Sequence, residues 1–217
     1  MTYEVISTGS KGNAVIINGL ILIDCGVPFR ALSTNARALK LVLLTHIHGD
    51  HFKPRTAAAL HRERPALRWG CCEWMVGPLL EAGVDKRMID VLTPGHCFVY
   101  QGLGTVMPER LVHNVPNCGY HIWMGVEALF YATDTGSLDG VAANGYDLYL
   151  VEANHTRAEL GARLEAKRAA GEYAYEWAAA QNHLSLEQAE DWIYQNIGPN
   201  GRYAFLHQHE QEDCRKM

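Results

Sequence analysis

The feature that most constrains this 217-residue chain is a short apolar segment that leads at once into a polar loop rich in histidine. Leu41-Val42-Leu43-Leu44 has the length and the fully apolar character of a buried strand. It is followed by Thr45-His46-Ile47-His48-Gly49-Asp50-His51, which holds three of the chain's 11 histidines. Because a buried strand needs packed layers around it, we expect the loop to lie at the edge of a layered core.

Two other polar residues follow apolar strands in the same way. Asp134 comes just after the predicted strand that ends near Tyr131, and His207 comes directly after the predicted strand Arg202 to Leu206. Side chains at strand ends can converge on one edge of a rigid scaffold. The pattern therefore predicts that His46, Asp134 and His207 lie close together in the folded chain.

The order of the remaining elements predicts a layered α/β fold in a single domain, residues 1–217. Helices are predicted from Pro28 to about Leu39, from Pro54 to about Arg64, near Glu73 to Ala82, and after the capping boxes Thr156-x-x-Glu159 and Ser185-x-x-Gln188. Further strands are predicted at 3–6, 14–17, 20–23 and 148–151, and near Val106, Leu111, Ile122 and Ala128. Asn18-Gly19 is typical of a type I′ hairpin turn.

Composition excludes several classes of protein. A mean hydropathy of -0.14 and 20% charged residues are typical of a soluble globular chain, and no segment has the length of a membrane span. The first residues resemble a strand rather than a signal peptide, and the six cysteines show no C-x-x-C spacing. We therefore expect a cytoplasmic protein with free thiols. The net charge of -5 argues against a broad basic face for duplex DNA.

The histidine loop has the chemistry of a metal site. Imidazole nitrogen and carboxylate oxygen are ligands that Zn²⁺, Mn²⁺ and Fe²⁺ share. Alternate positions send His46 and His48 to one side of a tight loop and Asp50 and His51 to the other. One loop can thus begin two metal sites about 3.5–4 Å apart, the separation that two-metal hydrolases use. The alternative interpretation is a solvated polar loop.

Each of these sites needs ligands that the loop does not supply. His113 follows a predicted strand and is a candidate to complete the first site. Asp134 is a candidate to contact both metals with its two oxygens, and His207 is a candidate to close the second site. Taken alone, each residue is more often an ordinary histidine or a turn aspartate, so these assignments depend on the loop.

With these residues in view, the whole chain resembles the metallo-β-lactamase fold superfamily. Within it, the chain is most similar to the YycJ/WalJ branch, near the tRNase Z and cyclic-phosphodiesterase groups. The resemblance is carried by the His46 loop, by His113, Asp134, His183 and His207 in order, and by the segments 7–13, Val151-Glu152-Ala153-Asn154-His155 and Asn182-His183-Leu184-Ser185. It implies a four-layer αββα sandwich with a dinuclear centre between the sheets.

The resemblance also implies a catalytic role for His183 without metal binding, and we count Asp50 with it among the catalytic residues. His183 precedes Ser185, the predicted N-cap of a helix, where unpaired backbone N–H groups favour phosphate oxygen. The alternative is that His183 binds a metal. The chain departs from the branch at Leu206-His207-Gln208-His209-Glu210, so His209 competes with His207, and we favour His207 because it falls at the strand end.

Further residues are candidates for contact with a substrate. His155 precedes a capping threonine and either touches substrate phosphate or is structural. Ser10 and Asn13, with Lys11, either hold phosphate through the turn or form a tight hairpin beneath the metal loop. We expect Asp24 to orient a ligand histidine. A group of basic residues either contacts nucleic acid or forms a solvated face: Arg157, Arg163, Lys167 and Arg168. A group of aromatic residues either forms a lid over the site or simply packs: Tyr173, Tyr175 and Trp177.

Together these features predict a hydrolase of phosphodiesters that depends on two divalent metal ions, most simply zinc, with manganese or iron as alternatives. The nucleophile is expected to be a metal-activated hydroxide. The resemblance favours a nuclease or exonuclease acting on single-stranded DNA or on nucleic-acid ends. The alternatives are a phosphodiesterase of cyclic or small nucleotides, a lactone or thioester hydrolase, and a non-catalytic metal-binding module. No membrane contact is expected, and relatives in the branch suggest a homodimer.

Overall fold

The computed structural model describes residues 1–171 and 181–207, and their strands form two six-stranded sheets. The strands are β1 (Tyr3–Ser7), β2 (Ala14–Ile17), β3 (Ile21–Ile23), β4 (Leu41–Leu44), β5 (Arg68–Cys72), β6 (Ile89–Leu92), β7 (Phe98–Tyr100), β8 (Gly104–Leu111), β9 (Asn117–Met124), β10 (Glu127–Ala132), β11 (Leu148–Glu152) and β12 (Arg202–Leu206). The α-helices within these residues are α1 (Pro54–Glu63), α2 (Val76–Glu81), α3 (Arg157–Ala170) and α4 (Leu186–Asn196).

The strand order brings the carboxyl ends of many strands to one edge. The first sheet runs β1-β2-β3-β4-β5-β6, and β3 to β6 are parallel. The second sheet runs β12-β11-β10-β9-β8-β7, with β10 to β12 parallel. Because β8 and β10 are both antiparallel to β9, β8 also ends at this edge. The loops after these strands are therefore neighbours.

Strand β4 shows why the molecule has layers. All four of its residues are buried, and successive side chains point to opposite faces. Leu41 and Leu43 pack between the two sheets, whereas Val42 and Leu44 belong to a second cluster that includes residues of α1 and α2. Because both of its faces are buried, β4 is apolar at every position.

The second sheet is covered in the same way. Phe130 and Tyr149 of its outer face pack with Ala189, Trp192 and Ile193 of α4. Helices thus cover the outer face of both sheets, while the inner faces meet each other. This arrangement is the four-layer αββα sandwich that the sequence predicts, and the α/β class is confirmed.

The turn between β2 and β3 has the predicted type I′ conformation. Asn18 and Gly19 have φ values of 49° and 68°, and the Leu20 amide donates to the Ile17 carbonyl at 2.9 Å. Positive φ at both central positions is what a type I′ turn requires. The strand that follows begins at Ile21 rather than at Leu20.

The predicted helix from Pro28 to about Leu39 is wrong. A single 3₁₀ turn, Phe29–Ala31, is followed by a series of turns. The Ser33 hydroxyl donates to the Arg30 carbonyl at 2.8 Å, and the Asn35 amide donates to Glu4 at 3.0 Å. A hydroxyl such as that of Ser33 offers the backbone an alternative to helical hydrogen bonds.

Both predicted capping boxes are present, but the two helices that they begin are packed differently. Thr156 caps α3 and Ser185 caps α4, each with the reciprocal glutamate or glutamine contact. Helix α4 buries one face, whereas α3 buries none of its residues. Within the described parts of the chain, no helix combines the length and hydrophobicity that a bilayer span requires.

The cysteines of the described residues are all free thiols, as the sequence predicts. Cys97 is exposed, and the others are buried. Cys72 and Cys118, from opposite sheets, place their sulfur atoms 3.8 Å apart. Cys214 lies outside the described residues, as does the segment with Tyr173, Tyr175 and Trp177.

Candidate metal centre

One group of four side chains gathers where β4, β8 and β10 end. The Nδ1 atom of His48 lies 3.1 Å from Nε2 of His46 and 3.3 Å from Nε2 of His113. Oδ2 of Asp134 lies 3.7 Å from Nε2 of His46 and 3.9 Å from Nε2 of His113. Four ligands at about 2.1 Å from a tetrahedral zinc ion are about 3.4 Å apart, so these separations suit one ion.

A second group lies beside the first. Nε2 of His51 is 3.7 Å from Oδ2 of Asp50 and 3.1 Å from Oδ1 of Asp134. His207 places Nε2 3.7 Å from Oδ2 of Asp50 and Nδ1 3.4 Å from Oδ1 of Asp134. The four side chains thus form a second set of nitrogen and oxygen donors with the spacing of a metal site.

Asp134 belongs to both groups, through different oxygens. Its Oδ2 atom faces His46 and His113, and its Oδ1 atom faces His51 and His207. The side chain is almost completely buried, and Oδ1 has no hydrogen-bond partner among the described residues. An unpaired carboxylate oxygen in the interior is costly unless a cation accompanies it. A cation between the two groups would satisfy this oxygen.

The far nitrogen of several histidines contacts an oxygen that fixes the ring. Nδ1 of His51 lies 2.7 Å from Oδ2 of Asp24, the orienting partner that the sequence predicts. Nδ1 of His46 lies 3.0 Å from the Thr45 hydroxyl, and Nδ1 of His113 lies 3.1 Å from the Asn182 carbonyl. Such contacts direct the opposite nitrogen towards a metal.

The electrostatics of the groups favour a bound cation. Burial first, and then the neighbouring histidines, lower the pKa of His46 to about 2, so its ring is neutral and can bind a metal. Burial would raise the pKa of Asp134, but the charges of His51, His207 and His46 outweigh it and hold the pKa well below its usual value. Burial likewise opposes the charged form of His207, but Asp50 and Glu152 outweigh it and raise its pKa to about 10. The carboxylates around His207 thus attract positive charge.

Glu152 is a member of the site to which the sequence analysis gave no role. It ends β11 and is fully buried, and its Oε2 atom lies 3.0 Å from Nδ1 of His183 and 3.3 Å from Nδ1 of His207. Its Oε1 atom accepts hydrogen bonds from the backbone amides of Thr135 and Leu184. Burial alone would raise the pKa of Glu152, but the bonds with His183 and His207 lower it. The sequence did contain a signal: Glu152 is an acidic residue at the end of an apolar strand, as Asp134 and His207 are polar residues just after the ends of two others.

His183 lies at the open side of the centre. Its ring is 5.5 Å from that of His113 and 5.1 Å from that of His207, and its side chain is 17% exposed. It stands two residues before Ser185, the N-cap of α4, as predicted. The side chain therefore combines contact with the centre and access to solvent. A third set of donors, formed by Asp134, Glu152, His183 and His207, overlaps the second group.

Three residues predicted to contact substrate occupy different positions. Ser10 is exposed at the turn after β1, whereas Asn13 is almost completely buried. The Asn13 amide lies 2.8 Å from Nε2 of His51 and 3.3 Å from Oδ2 of Asp50, so it faces the loop rather than solvent. His155 is 9% exposed and forms a β-bridge with Ser185 between the starts of α3 and α4.

Close backbone packing holds the loop in place. A Cβ atom on Gly26 would lie 1.7 Å from the Asp50 carbonyl oxygen, so only glycine is compatible with this approach. The Asn13 backbone amide also donates to that oxygen, at 2.6 Å. The turn after β1 therefore supports the metal loop from beneath. Of the competing histidines near the end of the chain, His207 is in the centre and His209 lies outside the described residues.

Comparisons with known proteins agree with this fold. Residues 20–207 match the family model of the β-lactamase superfamily domain, and no curated protein matches the sequence. Human tRNase Z, short form, superposes with a TM-score of 0.72 and 16% identity, over 97% of this chain and 93% of the other. The metallo-β-lactamase fold protein YhfI from Bacillus subtilis gives a TM-score of 0.70 and 16% identity over 96% and 86%. A diphosphatase of the PhnP family gives 0.64 and 14% over 95% and 85%.

The family match extends from β3 to the histidine that follows β12, so it includes every strand that leads into the centre. The sheet order and the solved structures agree with it along nearly the whole chain. The chain therefore belongs to the metallo-β-lactamase fold superfamily.

Proposed function

We propose that this protein is a phosphodiester hydrolase that depends on two divalent metal ions. The observation that carries the proposal is the position of Asp134, whose two carboxylate oxygens face two separate groups of donors. One group is His46, His48, His113 and Asp134, and the other is Asp50, His51, Asp134 and His207. Because both groups include this carboxylate, they would hold two metal ions close together, as two-metal hydrolases require.

Zinc is the metal that we favour, because the donors are mostly imidazole and the first group has near-tetrahedral separations. Manganese and iron remain alternatives, since they share these ligands. When bound, two such ions activate a water molecule and neutralise charge on phosphate oxygens. The chain's own part is to hold the donors rigidly and to keep the His46 ring neutral.

His183 is proposed as the general acid. Its Nδ1 atom contacts Glu152, which leaves Nε2 as the nitrogen for a substrate. A proton on Nε2 can pass to the departing oxygen when the phosphorus–oxygen bond breaks, and the ring then returns neutral. Glu152 fixes the orientation of the ring through this contact. Asp50 is proposed to act in the second metal group and so to take part in catalysis.

The substrate that we favour is a single-stranded DNA segment or a nucleic-acid end. Support comes from the partly exposed His183 beside the start of α4, where phosphate oxygen is favoured, and from the likeness to tRNase Z. The second candidate is a cyclic or small nucleotide phosphodiester, which the net charge of -5 favours, because it argues against long electrostatic contact with a polyanion. Lactone or thioester hydrolysis ranks third.

Other features of the proposal concern the setting of the enzyme. Free thiols at every described cysteine suit a reducing compartment, so we propose a cytoplasmic location. We also propose a single catalytic domain, residues 1–217, that forms a homodimer without membrane contact. The basic residues of α3 are candidates for nucleic-acid contact, because this helix buries none of its residues.

The first experiment tests hydrolysis itself. Protein loaded separately with Zn²⁺, Mn²⁺ or Fe²⁺ is assayed on bis-p-nitrophenyl phosphate, together with the His183→Ala variant and the exposed-site control His96→Ala. We expect turnover by the parent and the control, and a loss of kcat of about 100-fold or more for His183→Ala, the usual contribution of a general acid. Absence of turnover with all three metals would favour a non-catalytic metal-binding module.

The second experiment separates the two substrate classes. 5′-Labelled single-stranded DNA and cyclic nucleotides are compared at equal concentrations of metal-loaded protein. We expect progressive shortening of the DNA from one end. Hydrolysis of the cyclic nucleotides alone would reject our first choice and leave the second.

A further inference from the structure

A cavity of about 570 Å³ lies beside the segment that directly follows the His46 loop. Its lining consists of Pro28, Phe29, Lys53, Pro54, Arg55 and Thr56. Its volume is that of a pocket for a small organic group, and its surface is mostly apolar. None of the metal-binding candidates forms part of this lining.

The backbone segments that line the cavity are connected to the His46 loop. Lys53 follows His51 by two residues, and its amide donates to the Cys25 carbonyl at 3.3 Å. Cys25 and Phe52 form a β-bridge, and the Thr56 hydroxyl donates to the Val27 carbonyl at 2.6 Å. The two walls of the cavity are thus tied to each other and to the loop. A ligand in the cavity would therefore contact the segment that leads directly out of the loop.

The side chains of the cavity suit two parts of a nucleotide. Phe29 is half-buried, with exposed Pro28 next to it in the chain and Pro54 across the cavity. This is an apolar surface on which a flat base can stack. Lys53 and Arg55 add positive charge, and no acidic residue lines the cavity. In a chain of net charge -5, a cavity with cations alone is complementary to a phosphate-bearing ligand.

We propose that this cavity is a subsite for one base of a single-stranded nucleic acid. The base stacks on Phe29, and the phosphates beside it lie near Lys53 and Arg55. The inference rests on the proposed function and narrows it, since it requires a substrate with at least one nucleotide beyond the phosphodiester at the centre.

The first test compares two substrates in one set of variants. For the parent, Phe29→Leu and the matched control Phe98→Leu, kcat/KM is measured on single-stranded oligothymidylate and on bis-p-nitrophenyl phosphate. Phe98 is also half-buried but lies on β7, away from the cavity. We expect the ratio of the two values to fall about tenfold for Phe29→Leu, as for loss of one stacked base, and to be unchanged for Phe98→Leu. Phe29→Trp, which keeps an aromatic face, should retain the parent ratio.

The second test measures binding without turnover. Fluorescein-labelled oligothymidylate is titrated with chelator-treated protein, and fluorescence anisotropy gives Kd at several salt concentrations. We expect Kd to rise about tenfold for Phe29→Leu. Arg55→Ala should lower the slope of log Kd against log salt by about 0.7, the value for one phosphate contact on a single strand. Arg62→Ala, exposed on the same helix α1, is the matched control and should leave the slope unchanged.

The outcomes separate this inference from the proposed function. An unchanged substrate ratio and an unchanged Kd for Phe29→Leu, or no binding of oligothymidylate by the parent, would overturn the subsite. Continued hydrolysis of bis-p-nitrophenyl phosphate would then leave the hydrolase proposal standing. Conversely, selective loss of binding with no hydrolysis by any protein would support the subsite and overturn the hydrolase. Circular dichroism of each variant checks that the fold is retained.

Discussion

Three residues in or beside the centre have a backbone conformation that residues other than glycine rarely adopt. Asp24, Asp134 and His207 have φ values of 61°, 56° and 52°, and each follows a strand end by one or two residues. The left-handed region is uncommon outside glycine, and strain of this kind gathers at functional sites. The sharp turn that it produces points each side chain back across the strand ends. The chain thus accepts strained backbone where the donors must converge.

Asp24 is the residue whose replacement best tests this positioning. The Asp24→Asn variant keeps an acceptor for the Thr45 amide but loses the charge that faces His51. We expect zinc affinity to fall about 10- to 100-fold, as for other partners that orient a ligand histidine. Competition with a chromophoric chelator measures it.

The matched control is Asp139→Asn, an exposed aspartate. Its zinc affinity should equal that of the parent. Equal affinities for Asp24→Asn and the parent, with both proteins folded, would contradict the role that we give to Asp24.

A second residue-scale prediction concerns His121 on β9. Burial lowers the pKa of His121 to about 4, although Tyr146 lies 3.1 Å from Nδ1 and Glu109 lies 3.5 Å from Nε2. The unfolded state therefore takes up the proton first as the pH falls. The stability that the neutral ring contributes is complete above pH 6.5, the ordinary value, and is lost between there and pH 4.

The His121→Phe variant removes this titration. Between pH 6.5 and pH 4, the free energy of unfolding of the parent should fall further than that of the variant. We expect the difference between the two falls to be about 2 kcal/mol. Urea unfolding at several pH values measures the difference, with exposed His96→Phe as the control. Parallel curves for the parent and His121→Phe would show that His121 does not titrate in this range.

Residues that are local in sequence were easier to predict than residues that meet through the fold. The spacing of His46, His48, Asp50 and His51 predicts metal-ligand chemistry, and the structure places two of these residues in each of the two groups of donors. Glu152 was missed because one acidic residue at a strand end is a weak signal until β11 is known to lie between β10 and β12. The burial of Asn13 beneath the loop has the same cause.

At the scale of elements, the two capped helices should respond differently to the same change. Removing the cap hydroxyl costs about 1 kcal/mol when the helix is part of the cooperative fold. We expect Ser185→Ala to lower the free energy of unfolding by about this amount, because α4 packs on the second sheet. Thr156→Ala should lower it by less than about half of that, because α3 buries none of its residues and can fray alone.

Urea unfolding measures both changes, and hydrogen exchange of the α3 amides detects the local fraying. Equal losses of stability in the two variants would show that α3 contributes to the fold as much as α4 does.

Elements were predictable where burial and periodicity agree. Strands β4 and β11 lie within a core that covers both faces, so their apolar runs had one interpretation. The segment after Pro28 has helical spacing of its apolar residues, but Ser33 and Thr34 donate local hydrogen bonds in its middle, and Asn35 donates to Glu4 of β1. A spacing rule does not weigh that competition.

At the scale of the whole molecule, the centre joins the two sheets. The His46 loop belongs to the first sheet, whereas His113, Asp134 and His207 follow strands of the second. Metal binding should therefore stabilise the packing of one sheet on the other. With zinc at about 100 times its Kd, the gain is about 2.7 kcal/mol, or about 5–10 °C in Tm for a chain of this size.

Differential scanning calorimetry of chelator-treated and zinc-loaded protein measures this shift. The Asp134→Asn variant, which weakens both groups of donors, should show a much smaller shift. An identical Tm with and without saturating zinc would contradict the metal centre.

The position of β12 has a consequence for synthesis. This strand is the last one described, and its carboxyl end supplies His207, while Arg202 at its start donates to the Met1 carbonyl. A ribosome delivers the amino-terminal sheet first, so the nascent polypeptide carries the histidine loop long before its final partner emerges. A chain still being translated therefore lacks one member of the second group of donors, and the candidate metal centre is complete only when the last strand docks.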